Sequence, residues 1–166
     1  MKLLIKPNLL LIASAIIIYS SCAAQSKLPS TWTAGTTLTI SSSGGMLPES
    51  DYTLISTEAS YAQHSYQQDE KRSAKTVYKF TQADLDGLMK VLKANSFDKI
   101  KTTKRTGIVY DMETTTITLS CGGHEYSVSI GATEEVTAGD EKRFSKVDTY
   151  IYQLMEKAKT PKANSK

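Results

Sequence analysis

One stretch constrains this chain more than any other. Between Thr114 and Gly131, Ile117, Leu119 and Cys121 alternate with Thr116, Thr118 and Ser120. Gly122-Gly123 follows, and then His124, Tyr126, Val128 and Ile130 alternate with Glu125, Ser127 and Ser129. Strict period-two alternation on both sides of a two-residue glycine turn reads as an antiparallel hairpin with one apolar and one polar face. A two-residue turn pairs the flanking residues directly, so Cys121 is expected opposite His124, Leu119 opposite Tyr126 and Ile117 opposite Val128. The register is pinned, because a one-residue slip would carry the whole apolar set into water.

Two helices accompany the hairpin. From Thr81 to Asn95, Leu85, Leu88, Met89 and Leu92 recur at helical spacing. Thr81 with Asp84 three residues on resembles a capping box, Phe80 and Leu85 form a hydrophobic staple, and Asn95 is the expected stop. From about Asp140 to Ala158, Phe144, Val147, Ile151, Leu154, Met155 and Ala158 make one stripe. Acidic Asp140 and Glu141 lie at its N-terminus and Lys157 and Lys159 at its C-terminus, matching the helix dipole. Strands are expected at Thr36 to Ser42, Asp51 to Glu58 and Lys75 to Phe80, with a short one at Ile108 to Tyr110. The implied class is α+β: an antiparallel sheet of about five strands with both helices packed on one face, a two-layer sandwich.

The first residues carry an address. Lys2 and Lys6 precede an apolar run from Leu9 to Tyr19. Eleven residues make a helix of about 16 Å, short against a hydrocarbon core of about 30 Å, and suit the apolar region of a secretory signal. Tyr19-Ser20-Ser21-Cys22 then resembles the bacterial lipobox, in which the cysteine is acylated. This implies a signal peptide over 1–21, a lipidated (palmitate-type) Cys22, a tether over 22–34, one domain over 35–159 and a disordered tail over 160–166. The rival reading is ordinary cleavage after Ala24. The expected location is the bacterial cell envelope, on the periplasmic or outer side of a membrane.

Charge and cysteine count narrow the rest. The 166 residues carry a formal net charge of +3, two units of which come from Lys2 and Lys6. The remainder gives no basic field of the kind nucleic acid requires. Acylation of Cys22 would leave Cys121 without an intramolecular disulfide partner, since the chain has two cysteines. No cofactor motif is present.

The candidate chemistry is sparse. Cys121 and His124 would be cross-strand neighbours, but a thiol nucleophile needs an orienting group and an oxyanion site, and core packing is the plainer reading of Cys121. Cys121, His124 and His64 could supply three zinc ligands, without a recognisable spacing. Ser96-Phe97-Asp98-Lys99 matches S-x-x-K of penicillin-binding enzymes, yet S-D-N and K-T-G are missing. Lys99, Lys101, Lys104 and Arg105 read as a solvated basic connector, with anionic headgroups or glycan as the alternative partner. Gln67 to Lys75 reads as an exposed loop and Glu134-Glu135 as a polar turn. Tyr78 and Tyr126 are expected in the core, and Tyr61 and Tyr66 are candidate interface anchors.

The segments Phe80-Thr81-Gln82-Ala83-Asp84-Leu85, Asn95-Ser96-Phe97-Asp98-Lys99-Ile100 and Val109-Tyr110-Asp111 make the chain resemble a group of uncharacterised Bacteroidota-type lipoproteins, which implies an address and a fold but no reaction. The Gly44-Gly45 pair after the first strand, with a later helix, is more faintly similar to emfourin-like metalloprotease inhibitors, although Met46-Leu47-Pro48 departs from their loop. The resulting expectation is a membrane-anchored, non-enzymatic module that binds a protein partner in the envelope. The loop Gly44, Gly45, Met46, Leu47 and Pro48 is the candidate contact. The alternatives are an inhibitor-like protein acting through the 44–49 loop and a thiol enzyme using Cys121.

Overall fold

A computed structural model describes residues 26–44, 49–66, 73–107 and 109–159. Eight strands and two helices occur in these residues: β1 (Thr37–Ser43), β2 (Glu49–Ser56), β3 (Ser60–Tyr66), β4 (Ala74–Tyr78), α1 (Gln82–Ala94), β5 (Thr102–Lys104), β6 (Thr114–Cys121), β7 (His124–Ile130), β8 (Glu134–Val136) and α2 (Glu141–Ala158). A single 3-10 turn, Phe97–Lys99, follows α1. Six strands form one antiparallel sheet in the order β4-β3-β2-β1-β6-β7, and β5 pairs with β8 in a separate two-stranded ribbon. The α+β class is as expected from the sequence, with more strands than anticipated.

The hairpin register is the expected one: Cys121 pairs with His124, Leu119 with Tyr126 and Ile117 with Val128. β1 docks on the other side of β6, placing Leu38 beside Leu119 and Ile40 beside Ile117. One face of the sheet therefore carries a row running Tyr126, Leu119, Leu38 and Ile55. Leu38, Ile55 and Leu119 are fully buried and join Leu85, Leu88, Met89 and Leu92 of α1 and Val147, Ile151 and Leu154 of α2 in one core. Both helices therefore lie on that face.

α1 begins as its sequence requires. Thr81 Oγ1 accepts from the Asp84 N–H, and the Asp84 carboxylate accepts from the Thr81 N–H, a reciprocal capping box. Gly87 allows α1 and α2 to approach closely, since a β-carbon there would lie 2.5 Å from Tyr150 Oη.

Four expectations need correction. β3 was not anticipated: its inward residues Ser60, Ala62 and His64 lie at the margin of the helical cover, so no apolar alternation marks it. The basic connector and the polar turn pair with each other instead. Lys104 lies opposite Glu134, Thr103 opposite Glu135, and Arg105 Nη1 is 3.4 Å from Glu135. Val109 to Asp111 forms a turn and not a strand, with Asp111 in the left-handed region, and residue 108 lies outside the described residues. The tether expected over 22–34 is, from Ser26 onward, part of the domain. Leu28 and Trp32 are buried in the core, Trp32 to 2% exposure.

Five hydrogen bonds, one of them from Gln82 Nε2 to Trp32 O, hold this N-terminal strap along α1 and the turn that follows it. Asp98 accepts from Ser26 Oγ at 2.6 Å and from the Lys27 N–H at 2.9 Å. Lys93 Nζ donates to Ser30 Oγ, and Asp86 accepts from the Trp32 N–H at 2.9 Å. The strap runs into β1, so it lies at the end of the sheet that holds the Gly122-Gly123 hairpin tip. Ser43, Ser50, Ser65 and Ala74 lie toward the opposite end. At the edge of the sheet, Lys159 forms a single antiparallel bridge to Tyr78 of β4. Among the described residues no helix is long and apolar enough to cross a membrane.

Candidate functional site

The face of the sheet away from the helices is the most distinctive surface. One row crosses all six strands as Ser127, Thr118, Thr39, Leu54, Tyr61 and Val77; a second reads Ser129, Thr116, Ser41, Tyr52, Gln63 and Lys75. None of these twelve residues is buried. The surface divides in two. Over β7, β6 and β1 it is a field of hydroxyls, paired across strands as Thr116 with Ser129 at 3.1 Å and Thr118 with Ser127 at 3.0 Å. Over β2, β3 and β4 it is apolar and aromatic. Tyr52 and Tyr61 have ring centroids 6.0 Å apart, Lys75 Nζ lies 3.9 Å above the Tyr61 ring, and Val77 is 56% exposed.

Diagonal placement on neighbouring strands brings these side chains together. Tyr61 thus contacts both the Tyr52 ring and the Lys75 ammonium. In the two rows across six strands, Lys75 at the outer strand supplies the one formal charge. Low charge with exposed tyrosine is the composition of an interface centre. Of the tyrosines named from sequence as anchors, Tyr61 belongs to this cluster, and the Tyr66 side chain lies outside what is described. Tyr52, Leu54 and Val77 were missed. The signal that could have found them is their shared parity once β3 is recognised as a strand.

Cys121 and His124 are cross-strand partners, as expected, but they do not share an apolar environment. Cys121 is 5% exposed, a free thiol at the edge of the core. His124 is exposed, its ring 6.3 Å from that of Tyr126. Burial pushes the Cys121 thiol up from its ordinary value, and the negative charge of Asp98 adds to the shift. A thiolate nucleophile needs the opposite setting, an electropositive and accessible one. A cleft of about 460 Å³ at this end of the sheet is lined by Lys27, Asp98, Lys99, His124 and Tyr126. In that cleft Asp98 is engaged by the strap.

The three-ligand zinc set is not assembled. His64 is on β3, three strands from Cys121 on β6, a lateral separation of about 14 Å at the usual strand spacing. His64 instead contacts the Asp51 carboxylate of β2 through Nδ1. Among the described residues no cluster of three metal-ligating side chains occurs. The S-x-x-K match is a helix exit: Ser96 has φ 48° and its N–H donates to Lys93 O.

Cys22 and the loop residues Gly45, Met46, Leu47 and Pro48 lie outside the described residues. Gly44, which opens that loop, has φ +98°, a conformation that favours glycine. No known protein-family model matches the chain, and no curated protein matches it.

Proposed function

We propose that this protein is a lipid-anchored envelope module that binds a protein partner through the open face of its sheet. The observation that carries the reading is the cluster of Tyr52, Leu54, Tyr61 and Val77 on a sheet face that no described element covers. The partner is a weakly charged protein surface, because the tyrosine cluster has Lys75 as its one formal charge and offers little compensation for desolvated charge on its ligand. Six strands at about 4.8 Å and seven residues at about 3.3 Å give a face of roughly 650 Å². That approaches the roughly 800 Å² per partner of a standard interface. The lipid anchor at Cys22 rests on the lipobox-like sequence and the signal that precedes it.

A photo-crosslinking residue at Tyr52, in cells, tests the reading, with the exposed Tyr152 of α2 as control. The expected result is one discrete adduct from position 52, absent from position 152 and weakened by Tyr61→Ala. Equal labelling from both positions would reject the face as an interface. Cys22→Ala should move the protein from the membrane to the soluble fraction, and retention on the membrane would reject the lipid.

A further inference from the structure

The strap limits how far the domain can stand from its anchor. Ser26 is bonded to Asp98 and Leu28 is in the core, so the first fixed residue comes four positions after Cys22. Four residues span at most about 14 Å when fully extended. The leash is therefore much shorter than the domain, whose seven-residue strands alone measure about 23 Å.

Its point of attachment is also defined. Lys27, Asp98, His124 and Tyr126 line one cleft, and His124 opens β7 immediately after the hairpin tip. The strap then follows α1 and enters β1, whose first residue, Thr37, pairs with Ser120. All these features lie at one end of the sheet. Gly44, which follows β1, and Glu113, which precedes β6, lie at the other.

We propose that the end of the domain bearing Ser26, Asp98 and the Gly122-Gly123 tip is a membrane-facing surface that rests against lipid headgroups. The leash holds it there and turns Gly44, Glu113 and the far ends of the strands away from the bilayer. This rests on acylation of Cys22. The open face then stands beside the membrane normal and not beneath the domain, so a partner reaches it without displacing the anchor. Exposed Lys27 adds a cation where anionic headgroups would meet the surface.

The test uses the full acylated protein in vesicles of phosphatidylethanolamine and phosphatidylglycerol carrying a headgroup quencher. A fluorophore is attached at Lys27→Cys or at Glu113→Cys; acylation blocks the sulfur of Cys22 and burial protects Cys121. Quenching several-fold stronger at 27 than at 113 is expected. Inserting about twelve Gly/Ser residues between Gln25 and Ser26, with a reach of about 20 Å, should erase most of that contrast. Equal quenching at the two sites in protein that floats with the vesicles would overturn the orientation and leave the anchor standing. A contrast that survives the insertion would overturn the leash as its cause. Failure of the unlabelled protein to float would overturn both.

Discussion

The Asp84 carboxylate in the first turn of α1 accepts a 2.9 Å hydrogen bond from Lys157 Nζ in the last turn of α2. The same carboxylate caps its own helix through Thr81. One side chain thus closes the start of one helix and ties it to the end of the other, where the dipoles favour an anion and a cation respectively.

That relationship has a pH signature. The bond from Lys157, and after it those from Thr81, pull the Asp84 carboxyl down from 3.8 to about 2. Its folded value lies below its unfolded one. The stabilisation is therefore complete above about pH 4 and is lost as the pH falls toward 2. Asp84→Asn should melt below the wild type at neutral pH, and the two curves should converge across that acid window. Thermal melts followed by circular dichroism measure this, and curves that stay parallel would remove Asp84 as the cause. Thr81→Ala should cost about 1 kcal/mol at neutral pH.

Two glycines should respond differently to alanine. At Gly87 the obstacle is the far end of Tyr150, with its Cζ next at 3.7 Å. Gly87→Ala should be near neutral alone, as the helix-propensity gain of about 1 kcal/mol offsets the displaced ring. In a Tyr150→Phe background it should stabilise. At Gly131 the added carbon would lie 2.8 Å from Thr114 Cα. No side-chain change at 114 relieves that contact, so a loss of about 1–3 kcal/mol is expected. Denaturant titrations of the single and double variants decide both cases.

Trp32 is the chain's one tryptophan, and it anchors the strap in the core. Trp32→Ala should cost about 3–5 kcal/mol, far more than a substitution in a free tether. In the wild type, its fluorescence should shift to the red in the same transition that melts the helices. An earlier, separate shift would mean that the strap detaches on its own.

Cys121 should resist alkylation in the native protein at neutral pH and react fully once unfolded, because burial and the Asp98 charge both disfavour the thiolate. Stoichiometric native labelling at neutral pH would contradict that environment and revive the thiol-enzyme reading.

Local pattern was sufficient for the hairpin and for α1. In β6 and β7 each residue's neighbours follow from a two-residue turn and an alternation that admits one register. In α1, Thr81 and Asp84 satisfy each other within a single turn. Neither feature needs a distant partner, so both were legible. β3 was not, because Ser60, Ala62 and His64 face the margin of the core and carry no apolar signal.

The sequence by itself determined the α+β class, the hairpin register and the two amphipathic helices, since each is decided by interactions a few residues apart. Only the tertiary structure decided that Leu28 and Trp32 belong to the core, that Lys104 and Arg105 meet Glu134 and Glu135, and that Tyr52 and Tyr61 share one exposed surface. Those pairings join residues that are distant in sequence or lie across a loop of unmarked register. Chain folding creates that proximity, and no local periodicity records it.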